Sequence, residues 1–93
     1  MKITFRAFAT FRKVIGEKEF EMTLPVGEKI RGLLEKLCNA HPGLRDHLFD
    51  HTGQIKPDIL ILKNGRSISL LQKLDTVIDE GDVISLFPPV TGG

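Results

Sequence analysis

One segment, residues 28–39, constrains the fold most strongly, because it has the apolar spacing of a helix several turns long. Its apolar side chains fall three and four residues apart and form a single stripe: Ile30, Leu33, Leu34 and Leu37. Glu28 favours the helix N-terminus electrostatically, and the His-Pro-Gly sequence at 41–43 ends the helix. In a chain of 93 residues whose other periodic segments look like strands, this stripe has to be buried against a sheet.

The N-terminal quarter of the chain alternates apolar and polar residues, which is the period of a half-buried strand. Residues 2–9 form the first such segment, and residues 18–24 form the second. Between them, residues 10–15 have the length of one short helical turn that ends at Gly16. Because the connection is short, we expect the two strands to pair as an antiparallel hairpin.

Three further strand segments follow in the C-terminal half. Residues 58–63 carry a short aliphatic run, and residues 66–70 are expected to return beside them. Asn64-Gly65, between the two, is a strong hairpin signal, since a type I′ turn needs positive φ at both positions. After a turn at 79–82, residues 83–87 have the pattern of a final strand.

The element order is therefore β-β-α-β-β-β, with a short second helix expected at residues 44–50. A strand, a crossover helix and another strand imply a parallel pair with a right-handed crossover. We predict an α+β protein of β-grasp (ubiquitin-like) architecture: a mixed sheet of about five strands with one main helix, and the first and last strands side by side at its centre. This domain is expected to span residues 1–87, with a flexible tail at residues 88–93.

The composition excludes several classes of function. Thirteen basic and twelve acidic residues leave a net charge of +1, which does not favour binding to nucleic acid. No apolar run approaches the ~20 residues of a membrane helix, and the N-terminus lacks the apolar core of a signal peptide. One cysteine cannot form an internal disulfide. We therefore expect a cytoplasmic protein that binds neither membrane nor nucleic acid.

The candidate sites within the domain are weaker than their structural alternatives. Gly27 and Gly32 have the spacing of half a phosphate loop, but the Lys and Ser or Thr of that motif do not follow. His47 and His51 lack the adjacent Glu of a zinc-protease helix, and we interpret them as surface residues. Cys38 is expected to be a small core residue, since no base or positive charge is evident beside it. No metal site is predicted, and nothing in the domain resembles an active site.

The last eight residues, LFPPVTGG, suggest a different kind of function. Pro88 and Pro89 fix φ and project the chain as a stiff arm. Gly92 and Gly93 have no side chains, so they fit a channel as narrow as a backbone. Such an arm suits delivery of a terminal carboxylate into a partner's active site. There the carboxylate must first be activated, normally as an acyl-adenylate, before sulfur or another nucleophile attacks its carbonyl.

Four stretches carry a resemblance that covers the whole chain. They are FATFRKVIG at 8–16, the LLEKL helix that ends at His-Pro, KNGR at 63–66 and EGDVISLFPPVTGG at 80–93. With them the chain resembles the MoaD family, the small sulfur-carrier subunit of molybdopterin synthase, together with its thiamine-pathway relative ThiS and the ubiquitin-like archaeal modifiers. Residues 70–75 look longer than the family's usual link, which leaves the choice of partner open.

The resemblance implies a non-catalytic carrier subunit without an active site of its own. An E1-like enzyme of the MoeB/ThiF type would adenylate Gly93 with ATP and Mg²⁺, and a sulfur donor would then convert it to a thiocarboxylate. The carrier would insert its tail into the large, MoaE-type subunit of molybdopterin synthase. There two such sulfurs, one from each carrier, build the dithiolene of molybdopterin. No cofactor is expected to stay bound to the chain. The tail residues expected to contact partners are Pro88, Pro89, Val90, Thr91 and Gly92.

The strand pattern also predicts where a partner docks. If Ile84 and Leu86 face the helix, Phe87 faces the opposite side, and Phe8 lies on that same side of the first strand. We expect Phe8 and Phe87 to form an exposed aromatic patch at the root of the tail, with Arg12 as a contact at its rim. The alternative is that both aromatic rings belong to the core.

Two questions stay open at the level of sequence. The aliphatic run at 59–62 does not reveal whether Leu60 or Leu62 extends the patch. The chain could also be a ubiquitin-like modifier joined to lysines through Gly93, a carrier for thiamine synthesis or tRNA thiolation, or an interaction module with a disordered tail.

Overall fold

The computed structural model describes residues 1–89 and contains a single mixed sheet with helices packed on one face. Its strands are β1 (Lys2–Ala7), β2 (Glu19–Thr23), β3 (Leu60–Lys63), β4 (Arg66–Ser67) and β5 (Val83–Phe87). Its α-helices are α1 (Thr10–Ile15), α2 (Ile30–Ala40) and α3 (Leu44–Leu48). Two 3₁₀ helices, Ile68–Leu70 and Lys73–Asp75, connect β4 to the last part of the chain.

The strands lie in the order β2-β1-β5-β3-β4. β1 pairs antiparallel with β2 and parallel with β5, so the first and last strands are neighbours inside the sheet, as predicted. β5 pairs antiparallel with β3, which turns back into β4. This is the β-grasp architecture, and the prediction of fold class is confirmed.

The core lies between the sheet and α2. The predicted apolar stripe of α2 is buried completely, with Ile30 and Leu33 at 0% exposure. Alternate residues of the strands form the sheet side of this core. Among them are Phe5 and Ile84, which pair with each other across β1 and β5. Cys38 is part of the same core, as expected, and burial raises the pKa of its thiol.

The link after α2 contains the predicted short helix. Leu44 and Leu48 are buried, one helical turn apart, and fasten α3 to the core. α3 ends at Leu48, two residues earlier than predicted. No helix within residues 1–89 is long and apolar enough to cross a membrane.

The hairpin between β3 and β4 has the predicted turn but a shorter return strand than predicted. Asn64 has φ 51° and Gly65 has φ 84°, as a type I′ turn requires. The expected strand over residues 66–70 is wrong beyond Ser67, where the chain enters a 3₁₀ helix. The Ser67 side chain accepts a hydrogen bond from the Ser69 N–H, and Ile68 turns into the core. The Ser67 cap and the burial of Ile68 thus stabilise the 3₁₀ helix more than continued pairing with β3 would stabilise a longer strand.

Candidate docking surface at the end of the last strand

The end of β5 carries the segment that leads to the tail. Phe87 is the last residue of β5 and lies opposite Leu60 of β3. On its other side the Phe8 N–H donates to the Leu86 carbonyl at 3.2 Å, which extends the β1–β5 contact by one residue. Pro88 and Pro89 follow and are half-buried. The remaining predicted tail contacts, Val90 to Gly93, lie outside the described residues.

Phe8 and Phe87 are in direct contact, as the strand pattern predicted. Their ring centroids are 4.2 Å apart and the ring planes are inclined by 11°, so the rings are stacked. Both side chains are half-buried and neither belongs to the core cluster. The predicted exposed patch is therefore corrected to a half-buried one, since each ring covers one face of the other. The alternative that both rings are core residues is wrong.

The register of β3 shows which leucine extends this aromatic pair. Ile61 pairs with Leu86 and both are buried on the helix face. Leu60 pairs with Phe87 on the outer face and is 41% exposed. We call Phe8, Phe87 and Leu60 the tail-root patch. The sequence could not show that the face with Leu60 and Leu62 is the outer one, because an unbroken aliphatic run has no alternation to reveal its faces.

Leu62 lies on the same outer face, opposite Ser85, but it is more covered than Leu60. Arg12 lies on the solvent side of α1, whose buried residues are Phe11 and Ile15. Within residues 1–89 Arg12 forms no ion pair. Its predicted contact with a partner stays a prediction.

The opposite end of β5 is fixed by a polar network that the sequence analysis missed. Lys63 Nζ donates to Asp79 Oδ2 at 2.9 Å and lies 3.4 Å from Asp82 Oδ2. Asp82 also accepts from the Asp79 N–H at 2.8 Å and from Asn64 Nδ2 at 2.9 Å. Asn64 Oδ1 in turn accepts the Val83 N–H at 2.8 Å. The network ties the β3–β4 turn to the first residue of β5.

This network perturbs two pKa values. Burial pushes the pKa of Asp82 upward, but the Asp79 N–H, the Asn64 amide and Lys63 outweigh it, and the net pKa is lowered. The hydrogen bond to Asp79 raises the pKa of Lys63, against the effect of its burial. Both groups therefore stay charged in the folded protein over a wider pH range, as a structural pair should.

The weaker candidate sites form no functional cluster. Gly27 and Gly32 flank the start of α2, where the Glu28 carboxylate covers Gly32 and accepts the Lys29 N–H at 3.0 Å. His47 is exposed on α3 with its ring 6.5 Å from that of Phe11. Over residues 1–89, no three His, Cys, Asp or Glu side chains are grouped closely enough to hold a metal ion.

Comparison with known proteins decides the family. The ThiS family profile matches residues 5–93. This chain belongs to the ThiS family. It is 38% identical over 93 residues to small archaeal modifier protein 3 of Haloferax volcanii, and the match covers 100% of both chains. The resemblance drawn from the sequence motifs is therefore confirmed.

Solved structures agree with this assignment. The crystal structure of SAMP1 from Haloferax volcanii matches with a TM-score of 0.87 and 28% identity, over 100% of both chains. A putative molybdopterin converting factor, subunit 1, from Pyrococcus furiosus matches with a TM-score of 0.78 and 32% identity, over 97% of this chain and 99% of that one. The ThiS-family chain is thus similar both to modifier proteins and to a protein named for molybdopterin conversion.

Proposed function

We propose that the ThiS-family chain is a sulfur carrier for molybdopterin synthesis, acting as the small subunit of molybdopterin synthase. The observation that carries the molybdopterin pathway is the 32% identity with the putative molybdopterin converting factor, subunit 1, of Pyrococcus furiosus. The tail-root patch supports delivery of the tail to a partner: a stacked aromatic pair and an exposed leucine lie where β5 leads into the sequence PPVTGG. Half-buried aromatic side chains beside an exposed apolar residue are typical of a protein–protein contact. A partner that binds this patch would receive the tail directly beside it.

The proposed chemistry takes place on Gly93 in the active sites of partners. In an E1-like enzyme of the MoeB/ThiF type, the Gly93 carboxylate attacks the α-phosphate of Mg²⁺-bound ATP, and pyrophosphate leaves. Hydrosulfide, or a donor at the same oxidation level, then attacks the acyl carbon and displaces AMP with loss of a proton. The product is a thiocarboxylate, which is an ionised and soft sulfur nucleophile. In the MoaE-type subunit it gives its sulfur to a pterin precursor, and hydrolysis restores the carboxylate.

The domain contributes position rather than catalysis. Phe87 pairs with Leu60 of β3, and the residue before it, Leu86, pairs with Ala7 of β1, so the root of the tail is fixed by the sheet. Pro88 and Pro89 limit the conformations available to the next residues. When the tail is ordered in a channel, each residue whose backbone is already restricted loses less conformational entropy. The free-energy cost of ordering falls by up to about 1–2 kcal/mol for each such residue.

The second candidate function is protein modification, in which a lysine ε-amine replaces hydrosulfide as the nucleophile and an isopeptide bond forms at Gly93. What favours it is the 38% identity with a protein named as a small archaeal modifier. Both functions need the same adenylation, so the patch and the tail serve either one. Carriage of sulfur for thiamine synthesis or tRNA thiolation would use the same first steps.

Intact-mass spectrometry tests the proposal. The chain is incubated with the E1-like enzyme of the same organism, MgATP and sodium hydrosulfide, and we expect one oxygen of the chain to be replaced by sulfur. The thiocarboxylated chain, mixed with the large subunit, should then convert the pterin precursor. An unchanged mass argues against any carrier role, whereas thiocarboxylation without conversion argues against the molybdopterin pathway.

Protein modification has a separate readout. Tryptic peptides from cells that express the chain are searched for lysines bearing its C-terminal residues. Protein modification would be favoured over sulfur carriage by two results together. Abundant conjugates should disappear when Gly93 is deleted, and loss of the whole chain should leave the molybdopterin content of the cells unchanged.

A further inference from the structure

β2 is an edge strand whose outer backbone groups point to solvent. Met1 and Leu24 exchange two hydrogen bonds, at 2.7 and 2.8 Å, and the Ala7 N–H donates to the Lys18 carbonyl at 2.9 Å. In an antiparallel pair such hydrogen-bonded positions alternate with positions that point away. The backbone groups of Glu19, Glu21 and Thr23 therefore face the open edge. The Thr23 carbonyl confirms this direction, since Lys36 Nζ donates to it at 2.7 Å from outside the strand.

The edge is regular over its whole length. The five residues of β2 pair one-to-one with β1, with no bulge, and the sequence EFEMT contains neither proline nor lysine. Proteins commonly protect edge strands with such features. The opposite edge strand of the described sheet, β4, is protected by its length of two residues. β2 is thus the edge of the described sheet at which another strand can add.

Charge decides what kind of strand fits. The outer face of β2 carries Glu19 and Glu21, both exposed, with Arg6 of β1 as the partner of Glu19 at 2.6 Å. A second copy of β2 would place glutamates across from or diagonal to glutamates, which is unfavourable. A strand with Arg or Lys at alternate positions would instead pair with them. On the inner face the added strand would lie beside Phe20, which is half-buried against Phe5, so its intervening side chains should be apolar.

We propose that β2 binds an extended segment of a partner protein, with basic and apolar residues in alternation, as a sixth strand of the sheet. The Glu19 and Glu21 N–H and carbonyl groups form the ladder. The Glu21 carboxylate, which has no ion pair within residues 1–89, selects the basic side chains, and Glu19 adds to this the carboxylate that it shares with Arg6. The site ends at Thr23, because Lys36 Nζ already donates a hydrogen bond to the Thr23 carbonyl. The site lies two strands away from β5, so it can act independently of the tail and of the proposed function.

A peptide titration tests the proposal directly. The probe is acetyl-Arg-Val-Arg-Val-Arg-Val-amide, and the matched control peptide has Glu in place of Arg. In ¹⁵N spectra of the full chain we expect the basic peptide to shift the amides of Glu19, Glu21 and Thr23 and to slow hydrogen exchange at the Glu21 N–H. Added salt should weaken binding, because the selecting charges are exposed. The acidic peptide should leave these amides unchanged.

Glu21→Pro separates strand addition from simple charge attraction. The Glu21 N–H points away from β1, so proline removes the edge donor without removing a β1–β2 hydrogen bond, and proline is tolerated at such edge positions. We expect Glu21→Pro to weaken peptide binding about tenfold, since one hydrogen bond and one charge are lost. Glu21→Gln keeps the backbone N–H donor and removes only the charge, so it should weaken peptide binding less than Glu21→Pro does.

Charge reversal provides a test that does not depend on the proline variant folding. The Glu19→Lys/Glu21→Lys double variant should exchange its preference and bind the acidic peptide at the same amides. Four results would overturn the proposal: equal affinity for both peptides, shifts centred on the tail-root patch, unchanged binding by folded Glu21→Pro, or self-association of the chain through β2.

Discussion

Phe87 is positioned from two sides, because its backbone pairs with Leu60 of β3 and its ring stacks on Phe8, the residue that follows β1. The side chain is half-buried, so it contributes something to stability and still presents surface to a partner. That Phe8 and Phe87 share a face followed from strand alternation. Their mutual stacking did not, because the distance between two rings depends on how two strands distant in sequence pair.

We predict that Phe87→Ala lowers the free energy of unfolding by only about 1–2 kcal/mol, since it removes one aromatic pair at the surface. Phe5→Ala is the matched control in the core and should cost about 3–5 kcal/mol. Urea denaturation measures both changes. Phe87→Ala should also weaken binding to the E1-like enzyme, whereas unchanged affinity would remove the tail-root patch from the proposed contact.

Asp82 is the residue at which stability and pH are linked. Its folded-state pKa is lowered, so its contribution is present above its ordinary pKa and is lost as pH falls through the lowered folded-state value. Asp82→Asn should cost about 1–3 kcal/mol at neutral pH, because the amide cannot accept from all three donors. Urea denaturation between neutral and acid pH should show the wild type losing stability and approaching the variant.

Asp79→Asn is the control for that experiment, because Asp79 contacts the same lysine but its side chain is 72% exposed. We expect it to cost under about 1 kcal/mol. Wild type and Asp82→Asn curves that stay parallel down to acid pH would contradict the assigned role. At the basic end, the raised pKa of Lys63 means that its contribution is lost only as pH rises through that raised value.

Among the elements, the β3–β4 hairpin shows where local sequence suffices and where it does not. The turn was predicted because Asn-Gly is one of few dipeptides that accept positive φ twice in succession. The length of β4 was predicted wrongly, because Ile68 leaves the strand to enter a core made by distant residues. A local signal therefore identified the turn, while a long-range contact ended the strand.

Gly65→Ala isolates the backbone requirement of this turn. A Cβ at Gly65 would meet no atom within 4 Å, so any loss of stability comes from its φ of 84°. We expect a loss of about 1–2 kcal/mol in the free energy of unfolding. Gly32→Ala is the control, since Gly32 lies in α2 without positive φ and needs only the end of the Glu28 side chain to move. Equal losses in the two variants would mean that strain at the turn is not the cause.

At the scale of the whole molecule, the β-grasp domain and the tail are proposed to divide the work. The division at Phe87 stays a prediction, as do the contacts of residues 90–93. What the structure adds is the place from which the tail departs: a strand paired on both sides, next to a half-buried aromatic pair. A root held in this way suits insertion into a partner better than a root at a sheet edge would.

Deletion of Gly93 tests this division of work. We expect the melting temperature to stay unchanged, because the deletion leaves in place every residue of the buried core described within residues 1–89, which extends from Ile3 to Leu86. Adenylation, followed as pyrophosphate release by the E1-like enzyme, should be abolished, since the acceptor carboxylate would be displaced from the ATP. Addition of one alanine after Gly93 should have the same effect. Retained pyrophosphate release in either variant would contradict the proposed role of Gly93.

The sequence by itself determined the helix stripe of α2, the alternation of β1 and β2, the Asn64-Gly65 turn and the motifs of the ThiS family. These depend on residues close together in the chain or on a recognisable pattern. The tertiary structure alone decided that Leu60 rather than Ile61 faces outward, that Lys63 and Asp82 pair, and that β2 is left as an open edge. The physical reason is the same for all three: each depends on strand register and order, which long-range pairing sets and neighbouring residues do not encode.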